Sequence, residues 1–300
     1  MNKLKIDTCP ICGGKEMRRV LTCIDHQASG EMFPLCRCAA CGFLMTQDPP
    51  VEEEIGAYYA TPDYISHSDT HRGLVNKLYH HVRSLMLRRK ARLVVRVAQK
   101  PAGRLMDLGA GTGYFADYMQ RQGWAVEAVE KDAGARAFAH ERFGLDEQPL
   151  SVLDTYPEGS MDAITLWHVM EHIQRLEETW DLLHHLLTPS GVLVVAVPNW
   201  KSYDARRYGA YWAAYDVPRH LWHFTPATIQ QIASHHGFIM AERRPLPLDA
   251  FYVSMLSERY MSHSFPMLRG FLTGLLAWAN SLASKDRSSS MIYVFRKKTA

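Results

Sequence analysis

One stretch limits what this chain can fold into more than any other: Leu105 to Phe115, LMDLGAGTGYF. A short apolar run leads into Asp107, Gly109, Gly111 and Gly113 follow at two-residue spacing, and Tyr114 to Gln122 can begin a helix. Apolar run, glycine bend and helix start is how a parallel sheet builds a nucleotide pocket, because glycine takes positive φ and lets backbone approach a ligand. The next apolar run, Ala125 to Val129, reads as a second strand and ends on Glu130, whose carboxylate can accept hydrogen bonds from two ribose hydroxyls. A dinucleotide fingerprint needs G-x-G-x-x-G; here position 114 is Tyr and the third glycine arrives one residue early.

With these residues the chain resembles the class I S-adenosylmethionine-dependent methyltransferases. DLGAGTGYF is similar to their first motif, and Glu130 matches their ribose-binding acid. The resemblance covers roughly the last two-thirds of the chain, an ordinary domain length. It implies an α/β fold: a Rossmann-like seven-stranded sheet with helices on both faces, its last strand antiparallel between its neighbours. It also implies S-adenosyl-L-methionine as cofactor, held around Asp107, Gly109, Ala110, Gly111, Gly113, Glu130 and Lys131. Asp154 would approach the adenine amino group and Trp167 would line the pocket floor.

Ahead of this core, residues 1–48 carry Cys9-Pro-Ile-Cys12-Gly13 and Cys38-Ala-Ala-Cys41-Gly42. Each C-x-x-C-G can form a tight knuckle, and two knuckles supply four thiolates to one tetrahedral ion, which suits a structural Zn²⁺ in a ribbon-like lobe. Such a site is closed and leaves no position for water or substrate. Cys23 and Cys36 are left over, and Cys36 could replace a ligand; free thiols or a redox pair are the plainer alternative. Six cysteines in 300 residues are too few for a disulfide scaffold. MNKLKIDTCP has no apolar signal core, so a cytoplasmic protein is expected. At 47% apolar content the chain can bury a sizeable core, and a net charge of +3 gives no argument for a nucleic-acid partner.

Residues 49–100 form a connecting segment. Tyr58, Tyr59 and Tyr64 cluster near Pro62, either over the pocket or packed as a linker. From Arg72 to Gln99 the pattern is helical, with Leu74, Leu78, Val82, Leu85 and Leu93 on an apolar face. Its basic residues, Arg83, Arg88, Arg89, Lys90, Arg92 and Arg96, read first as a solvated face and second as a surface for phosphates or RNA.

Within the core, 101–300, a short third strand is expected between Gly144 and Ser151 and a fourth from Met161 to Leu166. The hexad Trp167-His168-Val169-Met170-Glu171-His172 follows at the ligand end of that fourth strand. It resembles the E-H segment of small-molecule and sugar methyltransferases. Val192 to Val197 reads as a buried strand, Phe238 to Pro245 as the sixth and Met291 to Lys297 as the last. Residues 200–226 are aromatic and end in Arg219, His220 and His223, as a lid or substrate wall would. Within the insertion 247–290, Phe265 to Leu282 is apolar but too short to span a bilayer; core packing ranks first, with a dimer surface or peripheral membrane contact as the alternatives.

These readings converge on methyl transfer to an oxygen or carbon nucleophile of a small molecule, a nucleotide-linked sugar, other metabolite or lipid-linked acceptor. His168, His172, His220 and His223 are the candidate bases, with His172 foremost. Two rivals stand: an RNA or protein methyltransferase that uses the zinc ribbon as a grip, and a non-catalytic cofactor-binding scaffold.

Overall fold

A computed structural model describes residues 2–59 and 74–298, with side chains described at 2–59 and 82–298. Tyr64 and Pro62 lie outside the described residues. The amino-terminal strands are β1 (Met17–Ile24), β2 (Met32–Cys38) and β3 (Leu44–Thr46). Helix α1 (Leu74–Ala98) leads to β4 (Arg104–Leu108), α2 (Tyr114–Arg121), β5 (Ala125–Val129) and α3 (Ala133–Phe143). Then come β6 (Met161–Trp167), α4 (Leu176–Leu186), β7 (Leu187–Pro198), α5 (Tyr203–Tyr208) and the two-residue β8 (Trp222–His223). Helix α6 (Pro226–His235), β9 (Phe238–Leu246), α7 (Asp249–Tyr260), α8 (Pro266–Ala283) and β10 (Ser290–Lys297) complete the chain.

The large sheet runs β5-β4-β6-β7-β10-β9. Its pairs from β5 through β7 are parallel, and β10 lies antiparallel to both β7 and β9, as expected of the last strand. Six strands, not seven, are present among the described residues. The expected strand at 144–151 shrinks to a single parallel bridge, Gln148 to Val129, with Gln148 N–H donating to Ala128 O at 2.8 Å. Pro149 comes next and has no N–H to extend the ladder, and the chain turns into a 3-10 segment at Leu150–Thr155. Central strands such as β7 are buried on both faces, which explains their unbroken apolar runs.

Helix ends follow local chemistry. Asp132 caps α3 by accepting from Ala135 N–H at 2.7 Å, and Thr225 and Thr228 form a reciprocal capping box on α6, with Pro226 in the first turn. Of the apolar face expected along α1, Leu74 and Leu78 lie outside the residues whose side chains are described, Val82 and Leu85 are exposed, and Leu93 is buried with Ala91, Val94, Val97 and Ala98.

The small sheet runs β1-β2-β3-β8. Its fourth strand comes from the aromatic 200–226 segment, so the cysteine lobe and that segment share one ladder (Leu44 with His223, Met45 with Trp222). Phe43 stacks on Trp222 at 5.9 Å between centroids, and Cys9, Ile11 and Cys38 join the same buried cluster as Leu108 and Leu166 of the large sheet. The apolar 265–282 segment is helical; Gly270, Thr273, Gly274 and Ala277 of α8 are buried, while Phe271, Leu272, Leu275 and Leu276 are exposed. No helix among the described residues is long and apolar enough to cross a membrane.

Candidate functional site

The glycine bend joins β4 to α2, with Gly109, Gly111 and Gly113 at φ of +73°, +61° and +77°. Two of them also answer to space. A Cβ on Gly109 would lie 2.4 Å from Val169 Cγ2, and one on Gly113 would lie 2.7 Å from Leu145 Cδ1. Gly111 faces open space, with nothing within 4 Å of a Cβ there. Its N–H donates to Glu130 Oε2 at 2.8 Å, and the other oxygen accepts Asp132 N–H at 2.9 Å. Glu130 thereby fixes the bend while each oxygen keeps lone pairs for a ligand hydroxyl. Ala110 N–H is tied to Val129 O at 3.1 Å.

Asp107 lies below the bend, 1% exposed, and accepts the Thr165 hydroxyl at 2.6 Å. Burial pushes its carboxyl up to about 7 despite that hydrogen bond. Lys131 pairs with Glu52 at 3.0 Å, at the surface. Asp154 is exposed on the 3-10 segment. The acid brought against the bend is instead Glu147: both its oxygens are buried without a partner, and burial pushes it up to about 8. Sequence reasoning passed over it in favour of Asp154; an acid beside the expected third strand was the available signal. Trp167 packs edge-on to Phe115 at 5.3 Å, with the Lys90 ammonium 4.3 Å above its ring.

At the end of β6 the four candidate histidines occupy different environments. His168 has φ of +60° and is held between Asp249 (Nε2 to Oδ2, 3.0 Å) and Glu171 (Nδ1 to Oε1, 3.3 Å). Burial opposes its charge, but the two carboxylates outweigh burial and raise it to about 10, so it is an imidazolium at neutral pH. His223 is buried and shares a hydrogen bond with the Thr46 hydroxyl at 3.0 Å; burial holds it well below the usual range. His220 Nδ1 is 2.9 Å from Ala214 O, which fixes Nδ1–H as the donor. His172 is half-buried, with Nδ1 within 3.1 Å of Arg219 O and 3.0 Å of the Tyr59 hydroxyl. Burial and the neighbouring His220 ring, 4.5 Å away, push it down to about 4.

Arg219 is 1% exposed and its guanidinium is engaged internally, by Asp216, Asp25 and Tyr58 O. It shapes the backbone that carries His220 rather than facing a ligand. Glu171 is fully buried; one oxygen meets His168 and the other has no partner among the described residues.

In the amino-terminal lobe, Cys9 Sγ is 3.5 Å from Cys41 Sγ and Cys12 Sγ is 3.6 Å from Cys38 Sγ, all four lying within 4.8 Å of one another. Four sulfurs about 2.3 Å from a tetrahedral Zn²⁺ sit about 3.8 Å apart, close to this spacing. Gly13 and Gly42, at φ of +69° and +77°, close the two knuckles with N–H bonds to Cys9 O and Cys38 O at 2.9 Å each. Cys23 and Cys36 stand outside the cluster.

The profile of the methyltransferase domain family matches residues 78–242, over half of the chain. The chain belongs to this family. By fold and family it is placed among the class I S-adenosylmethionine-dependent methyltransferases. The ubiquinone biosynthesis O-methyltransferase of Rhodopseudomonas palustris (strain HaA2) is 28% identical over 154 residues, 48% of this chain and 61% of that protein's length. The corresponding Caulobacter (strain K31) protein is 30% identical over 104 residues, 32% of this chain and 41% of its own length. A Galdieria sulphuraria structure named as a sarcosine dimethylglycine methyltransferase superposes with a TM-score of 0.50 at 17% identity, covering 72% of this chain and 86% of that one, a likeness of fold.

Within this methyltransferase, two partners escaped sequence reasoning: Asp249 meets His168 from 81 positions away, and Lys90 leans from α1 onto Trp167. Tyr59, expected either over the pocket or packed as a linker, reaches His172 across 113 positions. None leaves a local spacing signal, since each contact forms only when distant elements meet.

Proposed function

We propose that this methyltransferase methylates an oxygen of a small-molecule acceptor, with His172 as general base. The observation that carries the reading is the sorting of the histidines. His168 is held as a cation, His223 is sequestered against Thr46, and His172 alone is held neutral while partly accessible. With Nδ1–H directed at Arg219 O, the lone pair of His172 resides on Nε2, which has no partner among the described residues. The relatives named for ubiquinone biosynthesis O-methylation agree with an oxygen acceptor.

The residues at the bend fit S-adenosylmethionine: Gly109, Ala110, Gly111 and Gly113 form a backbone cradle, open at Gly111, and Glu130 would take the ribose hydroxyls. Asp107 and Trp167 would border the sulfonium side; Lys131 and Asp154 lie at the surface, and Glu147 lies against Gly113. When bound, the cofactor supplies an electrophilic methyl group; the chain's own task is to align the acceptor, exclude water and remove its proton at His172 Nε2. Tyr59 and the Arg219 carbonyl fix the plane of the His172 ring. His168, locked by Asp249 and Glu171, holds the loop that carries it.

The four sulfurs of Cys9, Cys12, Cys38 and Cys41 would hold one structural Zn²⁺, a closed site whose role is folding. The acceptor reading is tested with labelled S-adenosylmethionine and a panel of phenols, sugars and lipid-linked alcohols, on wild type and His172→Ala. Turnover is expected to fall by about 10²–10⁴-fold with cofactor affinity intact, the usual contribution of a general base. Wild-type turnover in His172→Ala would remove the assignment.

A further inference from the structure

Helix α1, the end of β9 and the turn that precedes α7 border an open cavity of about 420 Å³ that none of the roles above uses. Its wall carries five cations, Arg89, Lys90, Arg92 and Arg96 from α1 and Arg244 from β9. Arg89, Arg92 and Arg96 recur at the three-to-four-residue spacing that gathers side chains on one helical face. Arg96 (2.6 Å) and Arg244 share one carboxylate, Glu242, and Lys90 lies in the field of Asp107 and Asp249. Arg89 and Arg92 have no ion-pair partner among the described residues. The rest of the wall is apolar, including Leu93, Leu246 and Ile292.

A solvated basic face is convex and pairs its charges with water. Here excess positive charge surrounds a concavity with apolar walls, where an anion is held more strongly than in open solvent. The arginine forks suit phosphoryl oxygens. The cavity also borders the reaction site. Lys90, in its wall, sits over Trp167, and Leu248, also in its wall, precedes the Asp249 that grips His168.

We propose that this cavity binds a diphosphate-type group carried by the methyl acceptor, with the adjoining apolar wall receiving the carbon skeleton next to it. The proposal rests on the methyltransferase reading and narrows its substrate to phosphorylated acceptors. Nucleotide-linked and prenyl-linked diphosphates share this chemistry, and the test separates them.

Calorimetry on the full chain, saturated with S-adenosylhomocysteine, would titrate inorganic pyrophosphate, uridine diphosphate and geranyl diphosphate. Wild type is expected to bind pyrophosphate at one site. The double variant Arg89→Glu, Arg92→Glu, altered at two exposed positions, should bind it at least about 10-fold more weakly, as loss of charge-assisted contacts implies. S-adenosylhomocysteine affinity should stay within about two-fold, since its cradle is untouched. Tighter binding of uridine diphosphate than of pyrophosphate would support a nucleotide-linked acceptor, and tighter geranyl diphosphate a prenyl-linked one. No uptake of any of the three, or equal affinity in the double variant, overturns the proposal. Cofactor binding, measured alongside, tests the methyltransferase reading independently, so the two failures are distinguishable.

Discussion

His168 and His172 end up in opposite charge states because their neighbours differ, and at His168 this can be read out by pH. His168 is raised to about 10 by Asp249 and Glu171, above the unfolded imidazole's about 6.5. Its ion pairs therefore add stability that is complete below pH about 6.5 and is lost as pH rises through about 10. Urea unfolding of wild type and His168→Asn across that range should show a constant wild-type advantage at low pH that shrinks toward zero at the alkaline end. An advantage that grew with pH would contradict the assigned charge. Gly109 gives a second residue-scale prediction. Its φ of +73° and the 2.4 Å approach to Val169 Cγ2 mean that Gly109→Ala should cost about 1–3 kcal/mol in urea unfolding, of which Val169→Ala in the same chain restores the steric part only.

Among the elements, the α7–α8 pair is set by glycine. A Cβ on Gly274 would meet Phe251 Cα at 2.7 Å, and one on Gly270 would meet Met255 Cα at 2.3 Å. Backbone atoms cannot swing aside as a side-chain tip can, so Gly274→Val should lose about 1–3 kcal/mol by overpacking, measured by urea unfolding. Leu275→Ser, on the exposed face of the same helix, should stay within about 0.5 kcal/mol. This helix also shows what a sequence discloses. Its apolar run was legible, but which face packs was not, because small residues mark a close helix contact only once the partner is known. The bend at 109–113, the acid at Glu130, the caps at Asp132 and Thr225 and the cysteine knuckles were legible because their chemistry is contained within a few residues. The lost third strand turned on one proline.

At the scale of the whole molecule, the cysteine lobe and the candidate site are joined through one ladder. Strand β8 completes the lobe's sheet and carries His223; Thr46 N–H reaches Leu221 O at 2.9 Å, and Leu221 N–H reaches Glu171 O at 2.8 Å. Trp222 Nε1–H donates to Ile173 O at 2.6 Å. If Cys9, Cys12, Cys38 and Cys41 hold Zn²⁺, protein as isolated should contain about one zinc per chain by elemental analysis. Stripping it with a chelator should unfold the lobe, shift Trp222 fluorescence and lower turnover together. Unchanged fluorescence and turnover in metal-free protein would separate lobe from site.

Every functional inference depends on the glycine cradle and Glu130 holding an adenosyl ligand, and calorimetry with S-adenosylhomocysteine tests that without any knowledge of the acceptor. Wild type should bind one equivalent, and Glu130→Ala should bind at least about 10-fold more weakly, the loss expected when charge-assisted hydrogen bonds to a ribose disappear. No binding to wild type, or equal affinity in Glu130→Ala, would contradict the assignment of this site.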